Sequence, residues 1–237
     1  MIHPKHNLST NMKNPLRFLL LLTLYLGCLT TLQAQQKQAP FWKEIQAFKR
    51  QDSLQQPPKQ AILFVGSSSF KMWDNMQEMF PAHQLINRGF GGSNLLDLKL
   101  YLNDIVFPYE PRQIVIYSGE NDIASGTVDA KEVVRRFDAV FTAIREKLPQ
   151  VPVVFVSIKP SPSRAQYLPV MQEANALIKY YLQKRQHTAF VDVYQPMLTA
   201  AGKPRPEIFI SDNLHLNQQG YQIWHKAIEP HLIENKP

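Results

Sequence analysis

The sequence predicts an α/β fold, a three-layer α/β/α sandwich built around a central parallel sheet of five strands. Short apolar runs rich in β-branched residues alternate five times with longer segments of helical periodicity. The runs are apolar on both faces, which is typical of parallel strands covered on both sides. A chain of 237 residues with 44% hydrophobic residues is long enough for one buried core and short for two.

The elements follow in a regular order. A first amphipathic helix is predicted over Pro40–Arg50, before the proline-containing segment Ser53–Lys59. The predicted strands are Ala61–Val65, Gln84–Ile86, Gln113–Tyr117, Val153–Ile158 and Ala189–Val193. The predicted helices between and after them are Phe70–Phe80, Asn94–Val106, Asp129–Leu148, Gln166–Gln186 and a last one from Gln218 to about Ile233. Right-handed crossovers would bring the carboxyl ends of the strands to one edge, where ligand sites form.

The N-terminal segment has the pattern of a signal peptide. Lys13 and Arg17 precede an apolar run of roughly a dozen residues, which is shorter than the ~20 needed to cross a bilayer. We expect cleavage after Ala34, which makes residues 1–34 a signal peptide and the mature protein secreted or periplasmic, with no membrane span. Residues 35–60 would then form an N-terminal helix and linker, and residues 61–237 the main domain.

Two alternatives for this segment stay open. Met12 could be the true start, which would give a compact charged region before the apolar run. Cys28, the single cysteine of the chain, could be the acylated residue of a lipoprotein, although Tyr25 and Leu26 are a poor match to the usual small-residue context. We favour cleavage near Ala34, which would leave the mature chain without cysteine.

The charge of the chain does not point to a nucleic-acid partner. The formal net charge is +7, but residues 1–34 contain three basic and no acidic side chains. The rest of the chain has 23 basic and 19 acidic side chains, a net charge of +4 without a dense basic run. Neither a His-Glu-x-x-His motif nor a cysteine cluster is present, so we expect no metal and no cofactor. The oligomeric state stays open.

Four polar segments carry the candidate chemistry, and three of them directly follow predicted strands. The first, Gly66 to Ser69, is a strand-to-helix turn whose N–H groups suit a developing oxyanion. Taken alone, these serines are better explained as a helix cap. The second, Asn87–Asn94, contains three glycines that allow close approach of the backbone to a ligand, although a plain loop explains them equally well.

The other two segments supply an amide, a carboxylate and an imidazole. Asn121 follows the third strand, where its side chain can donate to an oxyanion or simply hydrogen-bond the turn. Asp212 and His215 lie three residues apart before the last helix, so on a helical turn the carboxylate can orient the imidazole. An isolated Asp-x-x-His pair is weak evidence.

Together, the four segments resemble the SGNH (GDSL-type) hydrolases over about residues 61–233, with the motif blocks in order. The resemblance implies a flavodoxin-like sheet and a serine ester hydrolase. It implies that Ser68 is the nucleophile and that Asp212 and His215 complete the triad. It further implies that the backbone of Ser68 and Gly92, with the Asn121 amide, form the oxyanion hole. The usual Gly-Asp-Ser is here Gly66-Ser67-Ser68, a Gly-Ser-Ser-Ser variant in which Ser67 replaces a supporting aspartate.

The substrate is predicted only as a class. Export favours a short-chain or carbohydrate O-acyl ester, while the resemblance equally allows lysophospholipase or lipase-like activity on lipid esters. A catalytically silent carbohydrate- or lipid-binding domain of the same fold is the alternative from another class. Trp73 and Phe90 could form an apolar wall or could simply pack in the core. The segment from Ser157 to Arg164 follows the fourth strand and could border the pocket, or it could be a stiff connection.

Overall fold

Within residues 39–234, which a computed structural model describes, five strands form a single sheet. The strands are β1 (Ile62–Gly66), β2 (Leu85–Gly89), β3 (Gln113–Tyr117), β4 (Val153–Val156) and β5 (Thr188–Val191). Their order is β2-β1-β3-β4-β5, and each neighbouring pair is parallel. The predicted α/β class with a five-stranded parallel sheet is therefore confirmed. The predicted signal peptide, including Cys28 and Ala34, lies outside the described residues and stays a prediction.

Helices flank the sheet and connect its strands. They are α1 (Trp42–Leu54), α2 (Ser68–Lys71), α3 (Met76–Met79), α4 (Leu95–Leu100), α5 (Leu102–Ile105), α6 (Glu120–Ala124), α7 (Ala130–Lys147), α8 (Leu168–Gln183) and α9 (Gln218–Ile228). Among the helices in residues 39–234, none is both long and apolar enough to cross a bilayer. Residues 43–234 belong to one compact unit, so most of α1 lies in the same unit as the sheet.

Two predicted helices are each broken into two short ones. The prediction for residues 70–80 is replaced by α2 and α3, and the prediction for residues 94–106 by α4 and α5. Between α2 and α3 the side chain of Trp73 is buried and stacks on Tyr221 of α9, with ring centroids 4.8 Å apart. Packing against α9 therefore outweighs the local helical pattern.

The second strand is longer than predicted, and α6 was not predicted at all. β2 continues through Arg88, because this guanidinium is neutralised by an ion pair with Asp52 of α1 and donates to the Tyr109 hydroxyl at 2.7 Å. In α6, Glu120 and Asp122 are buried although both are acidic. Sequence patterns place charged residues at the surface, so they miss elements whose charges are paired inside.

The core includes aromatic residues from distant parts of the chain. Every residue of β1, β3 and β4 is buried, as expected for central parallel strands. Trp224 of α9 packs edge-on against Tyr117 at the end of β3, with ring centroids 4.7 Å apart. Trp73 and Phe90 are buried in this interior, at 1% and 0% exposure. They therefore pack in the core and do not form a wall for a substrate.

Candidate active site

The first strand ends in a turn that requires glycine. Gly66 has φ +138°, and a Cβ atom added there would lie 1.8 Å from the carbonyl oxygen of Tyr117 in the neighbouring strand. Ser67 follows in extended conformation, and its N–H donates to the same Tyr117 carbonyl at 2.9 Å. Ser68 is the first residue of α2 and therefore lies at the carboxyl edge of the sheet.

The three adjacent serines have different surroundings. The Ser67 side chain is buried, and its Oγ accepts a hydrogen bond from Asn121 Nδ2 at 2.8 Å. Ser69 is also buried, and its carbonyl accepts from the Tyr221 hydroxyl at 2.9 Å. Ser68 is partly exposed, and its Oγ lies 3.0 Å from His215 Nε2. Of these three hydroxyls, it is that of Ser68 that meets the imidazole.

Asp212 and His215 lie in an irregular turn closed by a bridge between Phe209 and Leu216. The prediction of a helical turn at this point is wrong, because the Asp212 carboxylate itself organises the backbone. Its Oδ1 accepts the N–H groups of Leu214 and His215, both at 2.9 Å. Its Oδ2 lies 2.6 Å from His215 Nδ1. The turn thus fixes carboxylate and imidazole in contact.

The charge of Asp212 determines how the imidazole is oriented. Burial acts to raise the pKa of Asp212, but hydrogen bonds from the His215 ring and from the backbone of His215 and Leu214 lower it to about 2. The ionised carboxylate accepts hydrogen bonds only, so it favours the imidazole tautomer that carries a proton on Nδ1. Nε2 is then free to accept the Ser68 hydroxyl proton.

Asn121 and Gly92 lie on the other side of the serine turn. Asn121 Nδ2 donates to Ser67 Oγ and also to the carbonyl of Ser93, the latter at 2.9 Å. Gly92 directly precedes Ser93 at the exposed end of its loop, with φ +76°. The structure therefore brings Ser68, Asp212 and His215 into one hydrogen-bonded chain. Asn121 is hydrogen-bonded to Ser67, the residue before Ser68, and to Ser93, the residue after Gly92.

A buried charge cluster beside Asn121 was missed by the sequence patterns. The Glu120 carboxylate accepts from the Tyr117 hydroxyl and from Lys159 Nζ, both at 2.6 Å. Lys159 is 0% exposed. Arg164 lies next to the pair and donates through Nη2 to Asn121 Oδ1 at 2.9 Å. Charged residues immediately after β3 and β4 were the available signal, since both strands end at the edge that carries the site.

The segment from Lys159 to Arg164 touches both halves of the site. Besides the contact of Arg164 with Asn121, the N–H of Ser163 donates to the carbonyl of Asn213, within the Asp212 turn, at 3.1 Å. Asn213 has φ +56°, a conformation that asparagine tolerates better than most residues. The segment is therefore a structural link between the Asn121 side and the His215 side.

Two further carboxylates hold the loops around the site. The Asp122 side chain is fully buried, accepting from the N–H of Leu95 at 3.0 Å and from Arg136 Nη1 at 2.9 Å. Glu44 of α1 accepts from the N–H of Gly91 at 3.2 Å and from Lys71 Nζ at 2.9 Å. The loop that contains Gly91 and Gly92 is thus held at Gly91 by Glu44 of α1. The helix that follows this loop is held at Leu95 by Asp122.

Comparisons with solved structures agree with this fold. A structure from Streptococcus pneumonia, provisionally described as a platelet activating factor, is 21% identical and has a TM-score of 0.70, covering 89% of this chain and 99% of its own. A GDSL-like lipase from Bacteroides thetaiotaomicron is 20% identical with a TM-score of 0.67, covering 79% and 96%. An acetylxylan esterase variant from Geobacillus stearothermophilus is 14% identical with a TM-score of 0.58, covering 73% and 94%. At these identities the likeness establishes the fold.

The sequence itself carries the family assignment. None of the curated proteins compared with the chain matches it. The family model of the GDSL-like lipases and acylhydrolases matches residues 54–223, which is more than half of the chain and includes every candidate site residue. The chain therefore belongs to the GDSL-like lipase/acylhydrolase family.

Proposed function

We propose that this protein is an exported serine ester hydrolase in which Ser68 attacks the ester carbonyl. The observation that carries the proposal is the 3.0 Å contact of Ser68 Oγ with His215 Nε2, continued by the 2.6 Å contact of His215 Nδ1 with Asp212. A serine hydroxyl is a weak nucleophile at neutral pH and needs a base within hydrogen-bond reach. The export proposal rests on the signal-peptide pattern of residues 1–34.

In the proposed reaction, His215 accepts the Ser68 proton as Oγ bonds to the carbonyl carbon. The tetrahedral intermediate collapses when His215 returns that proton to the leaving alcohol, and Ser68 keeps the acyl group as an ester. Water then attacks this ester, with His215 again as base, and releases the carboxylic acid and free Ser68. Asp212, with its pKa lowered to about 2, stabilises the imidazolium formed in both steps.

The oxyanion would be held by the N–H groups of Ser68 and Gly92 and by the Asn121 amide. Both Nδ2 hydrogens of Asn121 have partners, Ser67 Oγ and the Ser93 carbonyl. The hydrogen directed at Ser67 is the one that the oxyanion would share, because Ser67 directly precedes Ser68 in the serine turn. Such donors act on charge that develops only in the transition state.

For the substrate, we propose a short-chain acyl ester, with a carbohydrate O-acyl group as the preferred case. Acetylxylan esterase is the described activity of one protein that shares the fold, at a TM-score of 0.58, which supports the proposal only at the level of the fold. Lipid esters are the second candidate, supported by the GDSL-like lipase of Bacteroides thetaiotaomicron at a TM-score of 0.67. A silent binding domain is disfavoured by the intact contact between Ser68 and His215.

The test is hydrolysis of p-nitrophenyl esters of increasing acyl length by the wild type and by Ser67→Ala, Ser68→Ala and Ser69→Ala. We expect Ser68→Ala to lower kcat ~1,000-fold or more. Ser69→Ala should retain activity, because it keeps the carbonyl that accepts from Tyr221 and removes only the hydroxyl contact with Tyr117. Near-normal turnover by Ser68→Ala would refute the proposed nucleophile. A wild type inactive at every acyl length would favour the binding domain, and preference for long chains over acetylated sugars would favour lipid.

A further inference from the structure

Arg164 borders the proposed site without a role in the proton transfers. Its side chain is 17% exposed, and its Nη2 donates to Asn121 Oδ1 at 2.9 Å. Its Nη1 is enclosed, lies 3.6 Å from Glu120 Oε1 and has no hydrogen-bond partner among the described residues. The guanidinium is thus directed at Asn121, while its enclosed nitrogen faces a carboxylate.

Glu120 holds this guanidinium by charge. The Tyr117 hydroxyl and Lys159 Nζ both donate to Oε2 of Glu120, which leaves Oε1 to Arg164 and Ser161. Burial acts to raise the pKa of Glu120, but the charges of Lys159 and Arg164 and the donated hydrogen bonds keep it below its usual value. The carboxylate therefore stays ionised and attracts Arg164. A buried charge of this kind persists only because it is paired.

The contact of Arg164 with Asn121 has a directional consequence. The two ends of an asparagine amide have nearly the same shape, but one accepts hydrogen bonds and the other donates. A guanidinium only donates, so it requires the amide oxygen on its side, and the Ser93 carbonyl only accepts, so it requires the nitrogen. Both partners therefore select the orientation that presents Nδ2 to Ser67. The opposite orientation would direct a carbonyl oxygen at the oxyanion.

We propose that Arg164 is a positioning residue that fixes the Asn121 amide with its nitrogen toward the serine turn. The proposal rests on the proposed function, because it assigns Arg164 an effect only through the oxyanion donor. Glu120 and Lys159 are the buried pair that holds Arg164 for this task. In this role Arg164 acts through Asn121 and requires no contact with the substrate.

A double-mutant cycle tests this role, with Arg164→Met, Asn121→Ala and the combined variant assayed on a p-nitrophenyl ester. We expect Asn121→Ala to lower kcat ~100-fold or more. Arg164→Met should lower kcat about 10-fold with KM within about 2-fold, since the Ser93 carbonyl still favours the same orientation. In the Asn121→Ala background, Arg164→Met should cost about 2-fold or less, because there is no amide left to orient.

Two further variants keep the test decisive. Arg164→Lys retains the charge beside Glu120 and should recover part of kcat, and its own cycle with Asn121→Ala serves if Arg164→Met does not fold. Arg135→Met removes an exposed arginine that pairs with Glu132 on α7 and should leave kcat unchanged. The role of Arg164 would be overturned if the combined variant lost kcat by the product of the two single losses. It would also be overturned if Arg164→Met raised KM and left kcat unchanged. Full activity of Ser68→Ala would instead refute the proposed function.

Discussion

A side-chain carbon on Gly66 would lie 1.8 Å from the carbonyl oxygen of Tyr117, so the strand that leads to Ser68 passes its neighbour with no room for a methyl group. The space between β1 and β3 at Gly66, just before the serine turn, therefore has no room for any side chain. The turn therefore rests on a glycine that contributes no chemistry of its own.

We expect Gly66→Ala to lower the free energy of unfolding by roughly 2 to 4 kcal/mol, since it combines a backbone clash with a positive φ. Gly202→Ala is the matched control, because Gly202 also has a positive φ, +72°, but a Cβ there meets nothing within 4 Å. The control should lose only about 1 kcal/mol. If urea denaturation shows equal losses of unfolding free energy in both variants, then the positive φ, and not crowding at Tyr117, is the reason that position 66 requires glycine.

Asp212→Asn should lower kcat roughly 100- to 10,000-fold while leaving the fold intact, because the amide can hold the imidazole in the wrong tautomer. Asp192→Asn is a matched control. Asp192 is exposed and also accepts two backbone N–H groups, from Tyr194 and Gln195. Ester hydrolysis and circular dichroism should show a loss of turnover in the first variant alone. A similar turnover loss in both would point to backbone effects of the substitution.

Stability should depend on pH through the same carboxylate. The pKa of Asp212 is lowered to about 2 in the folded protein, from a usual value of 3.8. The unfolded chain therefore binds more protons between about pH 4 and pH 2, so the stabilisation is present above this window and is lost as pH falls through it. When pH is lowered from 5 to 2, the melting temperature should fall more steeply for the wild type than for Asp212→Asn. Parallel curves would exclude this contribution.

Lys159→Met should be strongly destabilising, by about 3 to 5 kcal/mol, because it leaves the Glu120 carboxylate buried without its ammonium partner. Removing both charges should cost less than removing one, so the double variant Lys159→Met/Glu120→Gln should recover part of the loss. Chemical denaturation of the two variants measures the difference. A single variant as stable as the wild type would show that Arg164 and Tyr117 suffice for Glu120.

The approximate positions of the strands along the chain could be predicted from the sequence because the signals there are local. The strand Gln113–Tyr117 was predicted with the bounds that the structure has, since all five of its residues are buried and flanked by polar turns. Positions where distant residues decide the structure could not be predicted. The charge of Arg88 in β2 is paired with Asp52, 36 residues away, a contact that the local sequence does not reveal.

The candidate site divides in the same way. The identity of Asp212 and His215 could be inferred from their motif, and the geometry places them in contact. The local sequence alone does not separate the three adjacent serines; the family resemblance selected Ser68, and the structure places its Oγ 3.0 Å from His215 Nε2. The role of Lys159 was missed although it closely follows β4, because a lysine is expected at the surface until its buried partner is known.

The contact between Ser68 and His215 spans 147 residues of sequence. A chain still emerging from the ribosome contains the serine turn long before it contains the imidazole. Tyr221 of α9, which holds the Ser69 carbonyl, is made later still. An unfinished or C-terminally truncated chain thus carries the hydroxyl without its base. The order of synthesis therefore delays assembly of the Ser68–His215 pair until the segment that carries His215 has been made.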